Sequence, residues 1–368
     1  MFGPKHYVPI LKWKKAEQKA LQELSANQKE WITPLIQPVM PQPKAPKKGQ
    51  RAKNREEQLE EVITDFKAKS PKIAGEIVNA WGTLPIFLDL SLIYTPKLII
   101  EALAQILATG SKLGTFLIPV VNLSSDKNTL QQVSTLARQY DHGLCLRLVR
   151  ADLIDVKTLS FHIEDLLADN NLSPAGIDLL VDFNAIDEQD QEYHDLFEEI
   201  KNIPYLTQWR TFTVACGAFP EDLSSCTPGI DKYIPRLEWK QWLYALSSDR
   251  FPRKPTFADY TIRHPIYKES NQFFQSSSSL KYTLDESWLI MRGKKGNLTQ
   301  YLGHANLLSR DPHYSSMFRG AAFSFGDAFI AKKGQDLHDP KPGNSTSWIL
   351  VGINHHLANT VDQIANLS

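Results

Sequence analysis

The chain has 368 residues, 42% of them hydrophobic and 22% charged, with 41 Lys and Arg against 41 Asp and Glu. This length allows two domains or one large α/β unit with an appendage, and the composition excludes wholesale disorder, a collagen-like chain and a coiled coil. No apolar run approaches the roughly 18 residues of a spanning helix, and Met1–His6 lacks an apolar signal core. The three cysteines Cys145, Cys216 and Cys226 fit neither a disulfide framework nor a zinc cage, so a reduced cytoplasmic setting is expected.

Strand-like and helix-like segments alternate from the start. The strand candidates are Tyr7–Lys12, Ile32–Val39, Pro85–Leu92, Thr115–Leu123, Gly143–Arg150, Gly176–Phe183, Trp209–Gly217 and Tyr233–Trp239. Most are continuous apolar runs, as parallel strands covered on both faces require. Between them the spacing predicts helices over Ala16–Leu24, Arg55–Ala80, Pro96–Ala108, Lys127–Tyr140, Val156–Asn170 and Glu188–Ile200. The third of these starts with Thr95 as N-cap and Pro96 at the first position. Eight strands in β-α alternation point to a (β/α)8 barrel over residues 1–255, with an open doubly wound sheet as the alternative. Four prolines and three lysines in residues 38–50 make an extended loop. Beyond Phe251–Pro255, residues 256–368 read as a C-terminal α+β extension packed on the barrel. It has a serine tract, a strand at Leu280–Arg292, a helix near Leu298–Ser309 and a closing helix from about Ser347.

Charge is locally uneven. Met1–Arg55 holds 12 basic and 3 acidic residues, Asp152–Asn202 holds 14 acidic and 2 basic. Both are readable as solvated helix faces or as docking surfaces.

The segments Tyr7-Val8-Pro9-Ile10-Leu11-Lys12, Glu17, Ala20-Leu21 and Ile32-Thr33-Pro34-Leu35-Ile36 resemble the start of the Beta protein family. That family is named for a bacteriophage beta protein and is found in phages and bacterial genomes. The resemblance resumes at Phe257-Ala258-Asp259-Tyr260, Tyr282-Thr283, Arg292-Gly293 and Phe323-Ser324-Phe325-Gly326-Asp327, and ends at Trp348 and Asn354-His355-His356. Two departures stand out: Gln37 where the second strand usually reaches a glutamate, and Ala258 where a glycine usually precedes Asp259. The resemblance implies a setting of phages, mobile elements and antiphage defence rather than a reaction.

In barrel enzymes the reacting groups project from the C-terminal ends of strands. Those ends present Lys12, Gln37, Asp89, Asn122, Arg147, Arg150, Asp182, Asn184 and the Arg236/Glu238 pair. A charge inside an apolar run must be paired, hydrated or neutralised. One reading makes Asp89, Asp182 and Glu238 acid/base groups or metal ligands beside Lys12, with Lys12, Arg147 and Arg236 on an anion. The other has Arg147 neutralise Asp182 or Asp89 in an internal ion-pair network. Arg263, Arg292 and Arg319 are further candidate anion ligands, or clips to Asp285, Glu286 and Asp327. No nucleophile elbow, Walker loop, dinucleotide fingerprint or zinc helix is present, so no cofactor or metal is assigned. Adjacent His355 and His356 diverge on a helix, and one of them is expected to hydrogen-bond across to the barrel. A protein partner or a small anionic ligand is expected, without a membrane or sequence-specific nucleic acid. Two functions follow: a binding or effector protein of phage–host conflict, or a barrel-mouth hydrolase or lyase acting on a small anionic or phosphorylated metabolite.

Overall fold

A computed structural model describes residues 2–43, 51, 53–93, 95–188, 198–249, 251–268 and 277–367. Eight parallel strands close into a barrel: β1 (Tyr7–Lys12), β2 (Leu35–Gln37), β3 (Ile86–Leu88), β4 (Leu117–Val121), β5 (Leu144–Val149), β6 (Ile177–Ala185), β7 (Thr211–Gly217) and β9 (Thr256–Asp259). The first seven are the apolar runs read from the sequence. The eighth is not. Tyr233–Trp239 divides into β8 (Lys232–Pro235), which pairs antiparallel outside the barrel, and the start of a helix. The closing strand is Thr256–Asp259, hydrogen-bonded to both β1 and β7. A boundary at residue 255 therefore falls just before the strand that shuts the barrel.

Helices α1 (Lys15–Gln22), α2 (Ala26–Lys29), α3 (Arg55–Trp81), α4 (Pro96–Lys112), α5 (Lys127–Tyr140) and α6 (Val156–Asp169) connect these strands. Their starts follow from local chemistry: Asn54, Thr95, Asp126 and Asp155 each accept a backbone N–H of the first turn. Residues 189–197 of the helix expected over Glu188–Ile200, and the lysine-rich part of the loop, 44–50, lie outside the described residues.

Strand alternation sorts the side chains into two layers. Val8, Ile10, Leu35, Phe87, Ile118, Cys145, Leu180, Ala215, Ala258 and Tyr260 fill the barrel interior. Tyr7, Leu11, Ile36, Leu88, Leu146, Val181, Val214 and Phe257 face the surrounding helices.

Helix α7 (Leu237–Ser247) precedes the closing strand, and the C-terminal part adds β10 (Ser277–Thr283), β11 (Ser287–Lys295), α8 (Gln300–Arg310), α9 (Phe325–Lys333) and α10 (Ser345–Ala365). The strand expected over Leu280–Arg292 is a hairpin, turning at Leu284–Glu286, and β8 joins it as a third strand. Helix α10 packs against β1, α1, α9 and β10. It is buried almost all round from Val351 to Val361, so the single apolar stripe underestimates its burial. Gly326 lets α9 approach α10: a Cβ there would stand 2.5 Å from the Val351 carbonyl oxygen.

A chain ended after Pro255 lacks the closing strand and the helix that covers it. We expect this truncation to be insoluble or to unfold without cooperativity by circular dichroism, because β1 and β7 would expose unpaired edges. A soluble, cooperatively unfolding product would contradict this dependence.

Candidate functional site

The top layer of the barrel interior is polar. Asp89 and Asp182 stand at the ends of β3 and β6, 0% and 1% exposed. The Arg147 guanidinium reaches between them. Its Nη1 donates to Asp89, while Nε (3.0 Å) and Nη2 donate to Asp182. The Tyr260 hydroxyl donates to Asp182 at 2.5 Å and accepts from Arg147 at 2.9 Å. Gln37 bridges outward: its Nε2 donates to Asp89 at 2.8 Å, and its Oε1 accepts from the Lys12 ammonium. Lys12, Asp89, Asp182 and Arg147 thus come together as the strand-end reading requires, with the carboxylates consumed in pairing. Burial, then the Arg147 charge, brings the Lys12 pKa down to about 8.

Above this layer opens a cleft of about 210 Å³ lined by Lys12, Lys14, Glu17, Phe219, Glu221, Ile262, Arg263, Tyr267, Lys268 and Lys281 among others. Five cations face two carboxylates. Arg263 pairs with Glu17 Oε1 at 3.2 Å, and Lys268 with Glu221 at 2.8 Å. Glu17 is 1% exposed, and its Oε2 has no hydrogen-bond partner among the described residues. The Tyr267 hydroxyl is likewise buried and unpartnered. Such groups are costly unless a ligand or water satisfies them. The backbone that aims Arg263 here is strained: Thr261 has φ of 59°, a left-handed conformation rare for a β-branched residue.

Glu17, Tyr260, Tyr267 and Lys281 were not among the residues singled out for chemistry. Glu17 and Tyr260 do lie in the family-like segments. Lys281 gives no sequence signal, because it reaches the cleft from the distant hairpin.

Several expected site residues lie elsewhere. Glu238 is not at a strand end; it sits in the first turn of α7, fully buried, with Arg236 Nε 3.4 Å from its Oε1. Burial raises its pKa to about 8, so it is neutral at pH 7. Arg236 is spent on Gln363 (2.7 Å), Thr360 and the Leu284 and Asp285 carbonyls. Arg292 donates to the Cys226 carbonyl at 2.6 Å, and Arg319 pairs with Asp362 at 2.5 Å. Arg236 and Arg292 are internal clips and Arg319 forms a partly exposed ion pair; neither Arg292 nor Arg319 pairs with the acids expected. Burial pushes the Cys145 and Cys216 thiols well above their ordinary range, as befits apolar strand residues.

A second polar network joins the barrel wall to the C-terminal part. Asp259 accepts from Tyr7 Oη (2.5 Å), the Thr261 N–H (2.9 Å) and His356 Nε2 (2.8 Å). His356 Nδ1 then accepts from the Thr283 hydroxyl at 2.9 Å. His355 bridges Asp327 and the Thr283 carbonyl, both at 2.8 Å. Tyr282 stacks on His355 at 3.8 Å and donates to Asp327 at 2.7 Å. The expected hydrogen bond from one histidine to the barrel is His356 to Asp259.

These features define a (β/α)8 barrel whose charged mouth is walled by a C-terminal α+β module. The family model described as Beta protein matches residues 7–362, and the chain belongs to that family. The residues of its family-like segments, Tyr7, Asp259, Tyr282, Thr283, Asp327, His355 and His356, are the members of the second network. No curated protein matches the chain. Solved structures similar to it include a mutant tryptophan synthase alpha-subunit from Pyrococcus furiosus, with 13% identity over 71% of this chain and 89% of that one and a TM-score of 0.41. An endo-beta-N-acetylglucosaminidase from Cordyceps militaris has 9% identity over 73% and 86%, with a TM-score of 0.34. A putative fructose-1,6-biphosphate aldolase from Coccidioides immitis has 11% identity over 70% and 75%, with a TM-score of 0.35.

Removing one partner of the mouth cluster leaves a buried charge uncompensated. Arg147→Met and Asp182→Asn should each lower unfolding free energy by about 3–5 kcal/mol, and the double mutant should recover part of that loss. Near-native stability in both single mutants would refute the pairing as a structural clamp. Glu238 has a folded pKa raised from 4.5 to about 8. Its contribution is complete below about pH 4.5 and is lost as pH rises through 8. Glu238→Gln should flatten that decline in chemical denaturation measured across the same window.

Proposed function

We propose that the protein is a ligand-binding member of the Beta family that takes a small anion at its barrel mouth. The observation that carries this is the cleft itself, where five basic side chains meet two carboxylates and the buried Glu17 Oε2 lacks a partner among the described residues. Coulomb attraction selects an anion, and Glu17 selects one that also carries a hydroxyl or amine donor. A small phosphorylated or carboxylated hydroxy compound meets both demands. Because Asp89 and Asp182 are both already paired with Arg147, the geometry supports binding better than acid/base catalysis by those carboxylates. The phage and bacterial setting implied by the family resemblance supports a role in phage–host conflict, with ligand occupancy as the cue. Three free cysteines, all buried, support a reducing cytoplasmic compartment. Among the described residues no helix is long and apolar enough to cross a membrane.

A barrel-mouth hydrolase or lyase is the second reading. It is favoured by Lys12, whose pKa burial lowers to about 8 and which is set among Gln37, Tyr260 and Tyr267.

Calorimetric titration with inorganic phosphate and with 3-phosphoglycerate should show saturable binding, tighter for the hydroxylated compound. Arg263→Gln should weaken it about tenfold, equivalent to about 1.4 kcal/mol. An anion prefers protonated Lys12, so affinity should fall as pH rises through about 8. Absence of binding to either compound would refute the reading.

A further inference from the structure

Lys281 stands apart from the other cations of the cleft. Arg263 faces Glu17, Lys268 faces Glu221, and Lys12 donates to Gln37. Lys281 meets no carboxylate among the described residues. Its Nζ lies 4.5 Å from the centre of the Phe219 ring, with the Ile262 carbonyl as acceptor at 3.4 Å. Strand alternation accounts for this placement. Leu280 and Tyr282 on either side point into the core of the C-terminal module, so Lys281 points out of it toward the barrel mouth. The module therefore contributes an amine to a cleft that the barrel builds.

The Phe219 face and the Ile262 carbonyl favour the ammonium, but burial beside a guanidinium with no carboxylate partner among the described residues opposes it. Desolvation, then the Arg263 charge, brings the Lys281 pKa down to about 7, leaving about half the amine neutral at pH 7. Lysines desolvated next to another cation are the ones that act as nucleophiles toward carbonyl carbon.

We propose that Lys281 captures a small anionic aldehyde or ketone in the cleft as an imine. The proposal rests on the reading of the mouth as an anion site, and adds the carbonyl to the ligand's chemistry. The nitrogen lone pair forms the C–N bond while the carbonyl π pair moves onto oxygen. As the C=N bond then forms, that oxygen leaves as water with the two hydrogens the neutral amine carried. No oxidant or reductant takes part. Arg263 and Lys12 hold the anionic end, and Glu17 Oε2 in the same wall accepts a hydrogen bond from the ligand's hydroxyl.

The test uses glyoxylate, which joins an aldehyde to a carboxylate, followed by borohydride to fix any imine as a secondary amine. Peptide mass mapping then locates the label. At pH 7 Lys281 should be modified at least about tenfold faster than exposed lysines such as Lys72. Excess phosphate should protect it, and Lys281→Met should lose this fast label at an unchanged unfolding midpoint. Labelling of Lys281 no faster than Lys72, while calorimetry still detects phosphate binding, would overturn imine capture and leave the anion site standing. Failure of both labelling and binding would overturn the two together. Because the decisive comparison is between lysines of the unaltered protein, a Lys281→Met chain that failed to fold would not obscure it.

Discussion

The closing strand carries the constraint on which the rest of the structure depends. Asp259 and Tyr260 are adjacent, and adjacent strand residues point to opposite faces. Asp259 faces outward and is held by Tyr7 and His356; Tyr260 faces inward and is held by Asp182 and Arg147. One peptide unit therefore joins the network that docks the C-terminal module to the network that fills the barrel mouth. Neither residue can shift without disturbing both.

Inside the mouth, charge balance decides what the residues can do. Two carboxylates and two cations occupy the layer, and Arg147 is the hub because a planar guanidinium can satisfy both Asp89 and Asp182 at once. Lys12 is kept one step away by Gln37, whose amide donates to Asp89 and whose carbonyl accepts from the lysine. An amide fits this position because its two ends meet groups of opposite sign. It also cannot take or release a proton, so the departure from the usual family glutamate removes one route to acid/base work. The buried carboxylates hold the layer together, and the groups left for a ligand lie above them.

The first seven strands were legible because parallel strands covered on both faces leave long apolar runs. The charged interruptions in those runs were legible too, since Asp89, Arg147 and Asp182 had to find one another or water. The eighth strand was misplaced for a physical reason. Tyr233–Trp239 has strand-forming residues and does contribute a strand, but to the antiparallel sheet. Thr256–Asp259 is short, and Pro255 before it reads as a break even though proline is compatible with a strand entry. Periodicity also misjudged α10: a helix pressed between a barrel and a sheet buries polar residues such as Asn354, His355 and His356 in hydrogen bonds, which no apolar stripe reveals. The cleft was the least legible feature. Its walls come from α1, the turn after the closing strand and the β10 hairpin, and that convergence exists only in three dimensions.

That convergence gives the C-terminal module a role beyond covering the barrel. The module supplies Lys281 and the barrel supplies Lys12, Glu17 and Arg263, so the cleft is complete only when the two are docked. Docking rests on buried polar contacts, among them His356 to Asp259 and Asn354 to the Ala20 carbonyl at 3.0 Å. Such contacts are stringent about geometry, since each buried partner is costly when left alone. A ligand touching both walls binds only the docked state. By linkage it stabilises that state by RT ln(1 + [L]/Kd), about 2.7 kcal/mol at a hundredfold excess over Kd. The strained turn at Thr261 lies where this coupling must pass: Asp259 is held by the module on one side of it, and Ile262 and Arg263 line the cleft on the other. On the proposed anion-binding reading, occupancy of the mouth and seating of the module would be two readouts of one equilibrium.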